Sequence, residues 1–206
     1  MKKTYFIIIF LIGILTTSYG GNSIKIDPNL SSEETQAVNK TERSLPKGAK
    51  IESYEVVKSK LPLALLVDEY KSLRDQANKA RIDYRTNITR GLPQVAQKNI
   101  ETLQKIQDNI VEKSSNLEST SPQYIFVLSQ VRERDRKDGK LTGFISIFDP
   151  NNLEMVDFIQ ITTPLYNNAV MVTEALDGSL TNPQQEDKDI KSSNSVVNFI
   201  LQSNPK

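Results

Sequence analysis

The sequence predicts an α+β fold: an N-terminal antiparallel helical hairpin packed on a small antiparallel β-meander, with a further C-terminal helix. Three observations predict it. Apolar residues recur every three to four positions from 59 to 90 and again from 96 to 117. The pattern then changes to short apolar runs between Tyr124 and Thr163. Turn formers, Asp138-Gly139 and Asp149-Pro150, separate those runs.

The first helix is expected over 59–90. Leu63, Leu66, Val67, Tyr70, Leu73, Ala77, Ala80, Tyr84 and Ile88 share one face, the spacing of an amphipathic helix. Ser59 is its expected cap, Pro62 is tolerable in a first turn, and Gly91 supplies the stop. A second helix follows, with Ala96, Ile100, Leu103, Ile106, Ile110 and Leu117 on one face and a stop at Ser121-Pro122. The connection Gly91-Leu92-Pro93 permits only a tight reversal, so the two helices form a hairpin.

Tyr124–Val131, Leu141–Phe148 and Leu153–Thr163 read as three strands joined by hairpins. A third helix is expected from Pro164 to Leu176, capped by Thr163 and stopped by Gly178. The alternative for that segment is a fourth strand, because residues 169–173 are rich in β-branched residues.

The first strand is apolar on both faces: Tyr124, Phe126 and Leu128 on one, Ile125, Val127 and Val131 on the other. A strand wet on one side alternates apolar with polar, so this sheet is expected to be covered twice. The helical hairpin covers one face. The third helix, the chain terminus or a second copy in a homodimer are the candidates for the other. Hairpin arms of about 37–45 Å against strands of about 26–30 Å predict an overhanging tip near Gly91, a second argument for a dimer.

The chain begins with Lys2-Lys3, an apolar run from Tyr5 to Leu15, and Ser18-Tyr19-Gly20. That is the pattern of a secretory signal peptide cut after Gly20. The apolar run is about 11 residues, against roughly 20 for a bilayer span. Residues 21–50 are polar and rich in Ser, Asn, Glu and Lys, and read as a flexible leader. The single α+β domain is placed at 51–178, followed by a polar linker and a short terminal helix over 179–206. The expected location is the periplasm or the medium of a bacterial cell, with no stable membrane insertion after cleavage.

Composition narrows the chemistry. The 206 residues include no histidine and no cysteine. That removes imidazole and thiol catalysis, zinc sites of the usual kinds and iron–sulfur clusters. No glycine-rich phosphate loop occurs. Charges are balanced, 26 basic against 25 acidic, which gives no support for a nucleic-acid partner. No catalytic residue, metal ligand or cofactor is expected.

Two constellations remain. Tyr166, Asn167 and Asn168, at the start of the third helix, offer a phenol, two amides and free backbone N–H groups to a polar or anionic ligand. Arg81, Arg85 and Arg90, near the end of the first helix, are the candidate contacts for an acidic partner; salt bridges are their competing use. The expected function is an exported, non-catalytic binding or protein-interaction module of the cell envelope, whose partner is a protein or a polar ligand. The alternatives are a glycan hydrolase working with carboxylates alone, and a chaperone that holds clients with its helical arms.

Overall fold

The computed structural model describes residues 24–134, 140–182 and 190–205. The expected signal peptide, 135–139 of the charged run and 183–189 of the linker lie outside the described residues. In chain order the elements are α1 (Ser32–Ser44), β1 (Lys50–Lys60), a 3₁₀ turn (Leu63–Leu65), α2 (Val67–Thr89), α3 (Pro93–Thr120), β2 (Gln123–Arg132), β3 (Thr142–Phe148), β4 (Met155–Gln160), α4 (Thr163–Leu176), a second 3₁₀ turn (Ser179–Thr181) and α5 (Ser195–Gln202). The four strands form one antiparallel sheet in the order β1-β2-β3-β4. The fold class is α+β.

The helix expected from Pro164 to Leu176 is present as α4, so residues 169–173 are helical and the alternative of a strand there falls. The fourth strand is β1, which lies between α1 and the helical hairpin. The first helix, expected from Ser59, starts at Val67 instead. Ser59 pairs with Tyr124 and Lys60 with Gln123 in the sheet. Pro62 then adopts φ −73° and ψ 143°, extended backbone that ends the strand before the 3₁₀ turn. Alternation in β1 is blurred by Lys50, Glu52, Glu55, Lys58 and Lys60, charges an edge strand can carry into water.

Residues 21–50 also depart from expectation, because α1 lies within them. Ser31 and Glu34 form a reciprocal capping box: Glu34 N–H donates to Ser31 Oγ at 3.2 Å, and Ser31 N–H donates to Glu34 Oε2 at 2.8 Å. The hydrogen bond from the Ser31 amide is the chief reason the Glu34 carboxyl titrates below its ordinary range. One narrow stripe, Ala37, Val38 and Thr41, is fully buried. Averaged polarity concealed it, since a helix lying on a sheet needs only a few inward residues. Lys40 Nζ donates to the Leu153 carbonyl at 2.6 Å, tying α1 to the β3–β4 turn.

Both faces of β2 are buried. Ile125 and Val127 pack with Ala37, Val38 and Phe148 under α1, flanked by Tyr54, Val56 and Met155. Phe126 and Leu128 belong to the larger core on the other side, with Ile145, Ile147, Leu103, Ile106, Ile110, Leu165, Val172 and Ile200. The second cover is therefore the chain's own α1, and β2 gives no argument for a second subunit. Within the larger core, α4 is buried on most sides; Leu165, Asn168, Ala169, Met171, Val172, Thr173 and Ala175 are all inside.

Helices α2 and α3 pack on each other across a short reversal. Leu92 N–H donates to the Asn87 carbonyl at 2.8 Å and Gly91 N–H to the Ile88 carbonyl at 3.0 Å. Gly91 sits at φ +69°. This paired closure leaves the glycine in left-handed backbone and lets Pro93 begin α3.

Candidate functional site

The two expected constellations are used mostly within the protein. Asn168 is fully buried. Its Oδ1 accepts from Arg74 Nη1 at 2.8 Å, and its Nδ2 lies 3.4 Å from the Val67 carbonyl. Arg74 Nη1 also donates to the Pro164 carbonyl at 3.0 Å. Asn168 thus ties α4 to α2. Tyr166 is half-buried against the core, and of the three only Asn167 is exposed. The helix begins one residue earlier than expected: Thr162 is the cap position, and its side chain makes no capping bond. Arg81 donates to Glu174 Oε2 at 2.7 Å in a largely buried ion pair between α2 and α4. Arg85 and Arg90 are exposed.

A more developed site lies along the outer edge of β1. Among the described residues only β2 pairs with β1, so alternate N–H and C=O groups of β1 point away from the sheet. Beside this edge runs a groove of about 960 Å³. It is lined by the seven consecutive β1 residues Lys50–Val56, by the strap Ile24–Pro28 with Leu30, and by Glu42 of α1.

The strap is held by a few defined contacts. Asp27 N–H donates to the Tyr54 hydroxyl at 2.8 Å. Asp27 Oδ1 accepts from Asn29 N–H and Nδ2, both at 2.9 Å, and Leu30 N–H returns to the Asp27 carbonyl at 3.2 Å. That is an Asx turn, and it steers the chain into the α1 cap. Ile24 and Leu30 pack on the smaller core cluster. At the other end, the Pro46–Ala49 turn, with Gly48 at φ +86° and Ala49 N–H on the Pro46 carbonyl at 2.9 Å, delivers the chain from α1 into β1.

Charge in the groove is biased. Asp27, Glu42, Glu52 and Glu55 line it against Lys25 and Lys50. Glu52 sits where the β1–β2 register shifts, between Ile51 and Ser53, and pairs with Arg132 Nε at 2.7 Å. Among the described residues no group of three or more carboxylates converges to hold a metal ion. What the site offers is unpaired strand backbone, flanking apolar side chains and negative charge.

Sequence reasoning missed this groove because both walls lay in or beside the segment read as a leader. The signals were present: Ser31-x-x-Glu34 is a capping-box spacing, Pro46-Lys-Gly48 is a turn, and Ile51, Tyr54, Val56 and Val57 favour a strand. Compared with protein-family models, curated proteins and solved structures, the chain matches none.

Proposed function

We propose that the protein is an exported, non-catalytic binding module of the bacterial cell envelope, and that it takes an extended polypeptide segment along the edge of β1. The observation that carries this reading is the groove: seven consecutive residues of an edge strand and the segment Ile24–Pro28 line one space. A peptide laid there adds a fifth strand to the sheet. Its main chain pairs with β1 while alternate side chains contact the groove walls. The acidic excess favours peptides with basic residues. Export rests on the N-terminal sequence pattern; the periplasm or the medium is the compartment this implies.

The hydrolase reading has less support. It needs two carboxylates facing each other across a cleft, about 5–10 Å apart, one of them held protonated. Of the groove acids, Asp27 is the acceptor of the Asx turn and Glu52 is engaged by Arg132. Both are therefore already engaged within the chain.

Selection from a library of linear peptides tests the proposal. Enrichment of sequences in which basic and apolar residues alternate is expected, with loss of that enrichment for the Glu42→Lys, Glu55→Lys double variant. Absence of any enriched linear peptide, or enrichment untouched by the charge reversal, overturns it.

A further inference from the structure

We propose that the reversal joining α2 and α3 is a second docking surface, and that its partner is the anionic headgroup layer of a phospholipid membrane. This does not depend on the β1 groove. Along α2 the last buried residue is Ala80; along α3 the first is Ala96. None of residues 81–95 is buried, so the end of the helix pair extends beyond the core.

That end is apolar in the middle and basic around it. Ile88, Leu92 and Val95 are 43%, 45% and 45% exposed. A Cβ built on Gly91 meets nothing within 4 Å, so the tip is unobstructed. Over the unburied stretch 81–95 the chain carries Arg85 and Arg90 against Asp83, besides Arg81, which is paired with Glu174, and Lys98 follows just beyond. In a chain of otherwise balanced charge, this is a local cationic excess at an apolar point.

The size and shape of the tip choose its partner. A protein–protein interface of ordinary stability engages about 20–30 residues a side, more than one helix reversal presents. A lipid surface makes no such demand. Three aliphatic side chains can enter the interfacial region end-on while nearby cations meet lipid phosphates. No helix among the described residues is long and apolar enough to cross a membrane, so the contact is peripheral and reversible. Its orientation holds the sheet away from the bilayer.

The chain has no cysteine, so a single introduced thiol gives a unique label. Full-length protein carrying an environment-sensitive dye at Gln94→Cys, beside the tip, is titrated with vesicles of phosphatidylcholine containing about 30% phosphatidylglycerol, at an ionic strength of about 0.1 M or below, where the Debye length is about 10 Å or more. A label at Gln76→Cys, farther along α2, is the control. Each dye reports its own surroundings, so binding through another part of the chain is told apart. The expected result is a blue shift at position 94 and none at 76. It weakens with added salt and on pure phosphatidylcholine. Arg90→Gln with Lys98→Gln should weaken vesicle affinity about 25-fold, about fivefold for each cation, and Leu92→Ser about tenfold. All three positions are exposed, and an unchanged melting temperature verifies the fold. No shift at 94, an equal shift on neutral vesicles, or a shift that grows with protein concentration without vesicles overturns the proposal; the last assigns the tip to self-association.

Discussion

Docking of α1 on the sheet can be measured through Val38. Val38 and Val127 are both fully buried and belong to one apolar cluster under α1. Truncating either to alanine removes two carbons and leaves a small cavity, a loss of about 2 kcal/mol each. For a domain of this size that lowers the melting temperature by about 4–8 °C. Neighbours that share a cavity do not contribute independently, so Val38→Ala with Val127→Ala should be non-additive by about 0.5 kcal/mol or more. Phe126 is equally buried but points into the larger core on the opposite face. Phe126→Leu combined with Val38→Ala should therefore be additive. The assay is urea unfolding of the single variants and both pairs. A Val38→Ala change within about 0.5 kcal/mol of zero, the range of ordinary surface substitutions, would refute the assignment of α1 as the second cover.

Further expectations follow from single contacts. Gly143 in β3 has no room for a side chain: a Cβ there would lie 2.6 Å from Ile161 Cδ1 and 3.0 Å from Ser203 Cβ. Gly143→Ala should lose about 1–3 kcal/mol, recovered in part by Ser203→Gly; Gly91→Ala, in open space at φ +69°, should lose only the backbone strain of about 1–2 kcal/mol. Asn168→Ala leaves the Arg74 guanidinium without one acceptor in a buried setting, and urea unfolding should report a loss of about 1–3 kcal/mol. The lowered Glu34 carboxyl has a definite sign. Its contribution to α1 is complete above the ordinary glutamate range and is lost as pH falls through the lowered value. The Ser31 and Glu34 amide resonances should therefore titrate at lower pH than exposed glutamates do, and Glu34→Gln should abolish that transition.

What the sequence disclosed, and what it hid, divides by how much apolar surface each element carries. The doubly apolar run of β2 revealed a sheet covered on both faces, because Phe126 and Val127 point opposite ways and neither tolerates water. The stripe of α3 was equally plain: Leu103, Ile106 and Ile110 recur at helical spacing and all are buried. By contrast, α1 buries only Ala37, Val38 and Thr41, too little for a composition argument to register, although its capping box stood in the sequence. The charged edge strand β1 went unread: its last two residues fell to the helix after it, since Ser59 and Pro62 also fit a helix start, and residues 51–58 were assigned to no element. Residues 169–173 went to helix despite their β-branched content, because α4 is enclosed by other helices and satisfies its backbone internally. The candidate site was hidden for the same reason as its walls. A strand edge offers main-chain groups, which no side-chain motif announces.

Amide hydrogen exchange across Lys50–Val56, with and without a selected basic peptide, tests the central claim most directly. If β1 is an open edge that accepts a strand, alternate amides in this stretch exchange fast in the free protein and slow on peptide binding, while those bonded to β2 stay slow throughout. Amides that are all slow without peptide, or that keep their rates when the peptide is bound, would contradict it.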